Sequence, residues 1–277
     1  MTDVTAATVT VTVLDTGFCT TPASLIARGT GWASVRCAAP AFLLEHRVHG
    51  ALLFDTGYGP RLRDAFAHFP ERIYHYATPT TFGIPAVAHL ARRGIAAGDV
   101  GLIIVSHLHA DHVAGLCDFP AARFVVTAAA LALQQQVRGV AAVRQGIVQS
   151  LFPADFAART QIVTTFPDTP LPHLGGTHDL FGDGTVHLVP LPGHARGQIG
   201  ALIRSTSGDL FLAADGAWST RAWREQRLPH WITSAIQDDP SALRATLGAI
   251  RDFAAARPDV RILPTHCPDT MRWGEPA

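Results

Sequence analysis

Hydrophobic and polar positions along this 277-residue chain follow the period of strands in two blocks, each closed by a stretch with the period of a helix. Val9 to Leu14 alternates valine and threonine, a period of two that predicts a half-buried strand. Ala41 to His46 and Ala51 to Asp55 predict a hairpin around His49-Gly50, and Asp55-Thr56-Gly57 ends its second strand with turn chemistry. A short helix is expected over Arg61 to Phe69, then an aromatic-rich loop to Phe82. Pro85 to Arg93 reads as a helix, with Pro near its start and Gly94 as its stop. Gly101 to Ser106 is an unbroken apolar run, the pattern of a strand buried on both faces.

Phe124 to Thr127 predicts a further strand, followed by a long Ala/Gln/Val helix ending near Ser150. A second strand-rich block covers Ile162 to Phe166, Thr185 to Leu191, Ala201 to Ser205 and Leu210 to Ala214, with Ser207-Gly208 turning the last pair. Asp239 and Pro240 suit the N-cap and first position of a helix running to about Ala256, stopped before Pro258. Ile262-Leu263 is a last short strand leading to Pro264-Thr265-His266. With no low-complexity linker and no internal repeat, this order predicts one α/β domain over residues 1–277, two sheets with helices on their outer faces.

Composition narrows the function. Lysine plus arginine and aspartate plus glutamate balance at 22 each, so no net field draws the chain to nucleic acid or an anionic membrane. Cys19, Cys37, Cys117 and Cys267 are widely spaced, which argues against a disulfide framework and a thiolate zinc knuckle. The N-terminal residues carry no basic segment followed by an apolar run, and no apolar stretch reaches the roughly 18–20 residues of a membrane span. A cytoplasmic protein, monomer or homodimer, is the expectation.

Histidine changes the picture. Three of the 14 histidines fall within six consecutive residues, His107-Leu108-His109-Ala110-Asp111-His112, directly after Ser106 at the end of the buried strand. His107 and His109, two apart in extended chain, project to one face, and Asp111 and His112 follow in the turn. Zinc takes imidazole nitrogen at about 2.0–2.1 Å and carboxylate oxygen at a similar distance, which suits such convergence. Three further polar residues stand where apolar strands end: His194 after Pro192-Gly193, Asp215 after Ala214, and His266. His107, His109 and His194 would make one site, Asp111, His112 and His266 a second, and Asp215 would bridge them.

H-x-H-x-D-H, then Gly-His, Ala-Asp and a C-terminal His, resembles the metallo-β-lactamase superfamily along nearly the whole chain, including Phe54-Asp55-Thr56-Gly57. The resemblance implies a four-layer αβ/βα sandwich with the metals at the sheet edges between the halves, and it implies that Asp55 buttresses the ligand-bearing loop. The acidic Asp215 points to the dinuclear hydrolase branches. Asp15-Thr16-Gly17-Phe18-Cys19 and Ala41-Phe42-Leu43-Leu44-Glu45 are similar to the N-acyl homoserine lactonase-like group. That group places a Tyr, three residues after the bridging Asp, against the lactone carbonyl; here the position is Trp218. Ala195-Arg196-Gly197-Gln198 and Cys267 also depart from the group's pattern.

The resemblance implies two divalent cations, zinc first with iron or manganese as alternatives, and a bridging hydroxide that attacks the carbonyl of a small-molecule lactone or carboxylic ester. Asp111 is the candidate to carry the proton to the leaving group. A glyoxalase II-like thioesterase and a redox iron protein of the same fold are the alternatives. Residues 58–98 are expected to form a lid or insert, and Tyr74, Tyr76, Phe82 and Trp218 are candidates for the substrate pocket. The cations near it that could grip an anionic substrate are Arg72, Arg196, Arg221 and Arg224.

Overall fold

The apolar runs become the middle strands of two facing sheets in the computed structural model, which describes residues 8–273. The first half contributes β1 (Val9–Pro22), β2 (Ser34–His46), β3 (Gly50–Phe54), β4 (Thr80–Phe82), β5 (Val100–Ile104), β6 (Arg123–Thr127) and β7 (Thr160–Val163). The second contributes β8 (Asp168–Leu171), β9 (Gly175–Asp179), β10 (Val186–Pro190), β11 (Ile199–Ser205), β12 (Gly208–Ala214) and β13 (Arg261–Pro264). The first sheet runs β7-β6-β5-β3-β2-β1, with β4 on one end of β1; the second runs β8-β9-β10-β11-β12-β13. Among the described residues a single pair, Val9 with Ser205, joins their ladders.

Alternation along the strands sorts their side chains into layers. Phe42, Leu44, Leu52, Phe54, Leu102, Ile104 and Val125 meet Val186, Leu188, Ile203, Leu210 and Leu212 in the core between the sheets. Their neighbours Leu43, Leu53, Ile103, Phe124 and Val126 face outward onto helices, against Leu62, Leu90, Val113 and Leu131. On the far side, Val189, Leu191, Leu202 and Phe211 pack on Leu247, Ile250 and Phe253 of the helix Pro240–Ala256. Helix, sheet, sheet, helix is the four-layer sandwich that the sequence resemblance implies. Asp239 caps the last helix as expected, accepting from the amides of Ser241 (2.8 Å) and Ala242 (3.0 Å).

Three expectations need correction. The long helix toward Ser150 is broken into Ala128–Gln136 and Gly139–Arg144. Val137 and Arg138 are extended between them, and the Gln149 side-chain amide donates to the carbonyls of Gln134 and Val137, satisfying the first helix's end. The loop read between Phe69 and Phe82 contains the helix Glu71–Ala77. The first strand continues past Leu14 to Pro22 through an irregularity between Asp15 and Phe18, where the Asp15 carboxylate accepts from the Gly17 amide.

Strand direction gathers the site. β3 and β5 are parallel, so Asp55 and His107 emerge at one edge. β12 and β13 are parallel as well, which sends Asp215 and His266 out together. β10 and β12 both run antiparallel to β11, so His194 leaves β10 on the same side. The Ile199 amide donates to the Ser106 carbonyl (2.9 Å) and ties the halves together beside the cluster.

Candidate metal centre

Asp55 is the first residue after β3 and has a left-handed backbone, φ 58°, a conformation that Asp and Asn tolerate better than most residues. Its carboxylate, fully buried, accepts from the Ser106 amide (2.7 Å), the Ser106 hydroxyl (2.7 Å) and His112 Nδ1 (2.7 Å). Thr56 completes the brace, its amide (2.8 Å) and hydroxyl (2.9 Å) both donating to the His112 carbonyl. With Nδ1 used this way, His112 aims Nε2 at the cluster, as expected when the far nitrogen fixes a ligand's tautomer.

The other side chains are held in the same manner. The His194 Nδ1–H donates to Gln237 Oε1 (2.8 Å) and the His266 Nδ1–H to the Ala38 carbonyl (2.6 Å). His194 Nε2 then lies 2.9 Å from His109 Nδ1. Asp215 Oδ2 is 2.9 Å from His266 Nε2 and 3.3 Å from His194 Nε2, while Oδ1 is 3.6 Å from His112 Nε2. Asp111 Oδ2 is 3.8 Å from the Nε2 atoms of both His112 and His266.

Three overlapping donor groups result: His107, His109 and His194; His107, His112 and Asp215; Asp111, His112 and His266, each with donor atoms within 4.8 Å of one another. Buried His107 Nε2, His112 Nε2 and Asp215 Oδ1 have no hydrogen-bond partner among the described residues. Orphaned buried groups are costly, and imidazole and carboxylate donors turned on a common centre are the donor set divalent cations take. The residues present fit such a group.

Electrostatics agree. Burial presses the His107 and His109 imidazoles down, His109 to about 3 with help from neighbouring His194, so both stay neutral donors. Burial also opposes charge on His112 and His266, but Asp215 and the other carboxylates outweigh it, lifting His112 to about 9 and His266 to about 10. At neutral pH a cation must therefore displace two protons. Metal titrations in buffers of different ionisation enthalpy are expected to show that release, with affinity climbing as pH rises from neutral through about 9 to 10. The metal-free chain runs the opposite way. A histidine raised above its ordinary 6.5 stabilises the fold fully below about pH 6.5, and that contribution is lost as pH climbs through about 9 to 10.

Among the pocket candidates, Tyr74 donates its hydroxyl to Asp111 Oδ1 (3.3 Å). Tyr76, two positions along the same helix, is 75% exposed with its ring against His75. Phe82 packs on Tyr58 and Phe66 at the edge of the first core. Trp218 lies over His194 and His266, and its indole N–H donates to Asp215 Oδ2 (2.9 Å), so its single polar group serves a donor carboxylate. The expected cations are engaged elsewhere: Arg72 with the Ala67 carbonyl, Arg196 with Asp238, Arg221 with Glu225, and Arg224 over the Trp223 ring.

Ser106, Gln237 and Gly146 are the contributors that sequence reasoning passed over. Gly146 has φ +69°, and a Cβ built on it would stand 2.4 Å from the His109 ring. Gly146→Ala is expected to cost about 1–2 kcal/mol in backbone strain. By displacing His109 it should also weaken metal binding roughly tenfold, as measured by competition with a chromogenic chelator.

A profile of the metallo-beta-lactamase superfamily matches residues 34–266. The N-acyl homoserine lactonase AttM of Azorhizobium caulinodans is 31% identical over 157 residues, 54% of each chain. The gamma-lactamase FDB1 of Fusarium pseudograminearum is 27% identical over 64% of this chain and 44% of its own length. The chain thus spans about half the length of the curated relatives it matches. Among solved structures, an N-acyl homoserine lactone hydrolase with N-hexanoyl-L-homoserine bound at its catalytic metal centre superposes with TM-score 0.74 at 16% identity, covering 96% of both chains. The dizinc quorum-quenching lactonase AidC gives 0.64 at 16% identity over 97% of this chain and 92% of its own. The profile spans the bracing Asp55 and every donor from His107 to His266, and the chain belongs to the metallo-β-lactamase superfamily.

Proposed function

We propose that the protein is a dinuclear, metal-dependent hydrolase that opens a lactone or cleaves a carboxylic ester. The observation that carries this reading is the sharing of donors: His112 belongs to two of the three groups, and Asp215 reaches histidines of both outer ones. His107, His109 and His194 would hold one cation and Asp111, His112 and His266 the other, with Asp215 between them. Zinc is the metal this reading favours, because imidazole nitrogen together with carboxylate oxygen is a donor set it takes readily. Such cations supply a lowered pKa for water and polarisation of a carbonyl group.

The chain's own residues supply the rest. Asp111, partly open at the rim, is placed to receive a proton and pass it to the leaving group. Tyr74 stands beside it, and burial together with the Asp111 charge holds its phenol well above the usual range, so it is a donor at neutral pH. Trp218 covers the donors on the opposite side and keeps Asp215 oriented. The helix Glu71–Ala77, within the expected lid or insert of residues 58–98, brings Tyr74 to the rim. The lactonase and lactonase-like names among the relatives support a cyclic ester as substrate. The free cysteines suit a reducing compartment, and we assign the protein to the cytoplasm.

The test is a panel of acyl homoserine lactones, simple lactones, aryl esters and a thioester, assayed with metal content measured on the same sample. Turnover of a lactone or ester that a chelator removes and zinc restores is the expected result. No turnover of any oxygen ester at full metal occupancy would refute the assignment.

A further inference from the structure

We propose that Cys19 and Cys37 form a dithiol that a hydroperoxide oxidises to a disulfide, and that this cross-link acts on the metal centre through Ala38. The two residues are far apart in sequence but directly opposite on β1 and β2. The Thr20 amide donates toward β4, to the Pro79 carbonyl (3.0 Å), so the amide and carbonyl of Cys19 face β2. Cys19 and Cys37 are thus a hydrogen-bonded antiparallel pair, in which Cα atoms lie about 5.5 Å apart and side chains share one face. That spacing matches the most common Cα separation of disulfides, about 5.5–6 Å. Both thiols are free in this structure.

The two sulfurs are not equivalent. Cys19 is half-buried and Cys37 is buried, so an oxidant reaches Cys19 first. In the first step the Cys19 sulfur attacks the peroxide: an S–O bond forms, the O–O bond breaks, and the alcohol leaves with the thiol's proton. In the second, Cys37 sulfur displaces that oxygen: the S–S bond forms, the S–O bond breaks, and water leaves. Two thiols give up two electrons and two protons, and the hydroperoxide is reduced to an alcohol and water.

The consequence for the site runs through one peptide unit. Cys37 precedes Ala38, whose carbonyl accepts from His266 Nδ1 at 2.6 Å. That bond directs His266 Nε2 at Asp215 and Asp111. Closing the S–S bond imposes the disulfide's torsional geometry on the paired strands, so the peptide unit of Ala38, next in the chain, turns with Cys37 and carries the imidazole with it. The other cysteines are placed differently: Cys117 donates to the Leu151 carbonyl and Cys267 toward Asp269. Formation of the cross-link is independent of the proposed hydrolysis, and its readouts below are structural and metal-based.

The experiment treats the reduced, zinc-loaded full chain with tert-butyl hydroperoxide, then maps peptides without reduction and measures zinc affinity. A Cys19–Cys37 linked peptide lighter by two hydrogens is expected, with zinc affinity lower by about tenfold or more and restored by dithiothreitol. Cys19→Ser should form no such peptide and keep its zinc affinity under peroxide; Cys37→Ser serves the same purpose should that variant fail to fold. Oxidation confined to Cys117, or linkage through any other pair, would overturn the site. Cross-linking without a change in zinc affinity would overturn the connection to His266.

Discussion

Asp215→Asn is expected to lower hydrolysis about a thousandfold and to reduce bound metal by at least one ion per chain. The carboxylate is 2% exposed and stands within 3.6 Å of the Nε2 atoms of His112, His194 and His266. Burial alone would raise its pKa, yet the imidazoles of His266 and His112 hold it well below the usual carboxylate range. It is therefore an anion at any working pH, turned toward both donor groups. Asparagine keeps the volume and the Trp218 contact but removes the charge. Metal-ion catalysis contributes several kcal/mol of transition-state stabilisation, and about 1.4 kcal/mol is a factor of ten, so losing roughly 4 kcal/mol gives the stated loss. Steady-state kinetics on protein of measured zinc content decides it. A variant with full metal and activity within tenfold of the parent would remove Asp215 from its bridging place.

Asp55→Ala carries the second large effect, first on stability and through it on metal binding. Alanine would leave the buried Ser106 amide without its acceptor and take from the Ser106 hydroxyl and His112 Nδ1 their shortest hydrogen bonds. Removing one partner of a buried charged network costs about 3–5 kcal/mol, and for a chain near this size each kcal/mol lowers Tm by about 2–4 °C. A fall of roughly 10 °C is expected, with metal affinity weaker by about 10- to 100-fold once His112 loses its brace. Asp55→Asn tolerates the left-handed backbone and keeps one acceptor, so it should fall between the two. Thermal unfolding with and without chelator separates the terms: the stability loss persists in chelator, and the metal-linked part does not. An unchanged Tm in chelator would show that the brace is dispensable.

The donors that the structure gathers were readable because each stands where an apolar strand stops, and parallel or doubly antiparallel pairing sends those ends to one edge. What supports them was not. Gln237 lies in an aperiodic segment, and only tertiary packing brings its carbonyl to His194. Gly146 reads as an ordinary member of a long helix, and its contact with His109 arises where the helix Gly139–Arg144 ends and the chain turns through the left-handed glycine. Tyr74 and Tyr76 are indistinguishable in a stretch whose sequence reads as loop. Two positions on a helix are about 200° apart, and the helix Glu71–Ala77 turns one to Asp111 and the other to solvent. The small hairpin of β8 and β9 escaped notice because its strands are short and mostly polar, with little periodicity to detect.

Among the described residues the ladders of the two sheets meet at one pair, while His107, His109, Asp111 and His112 come from one half and His194, Asp215 and His266 from the other. A cation held by those donors would therefore cross-brace the sandwich, a rivet through the seam. Were the chain cut between Val163 and Asp168, the fragments would hold together through the shared apolar layer and that rivet, and a chelator would become a tool for prising the sandwich open.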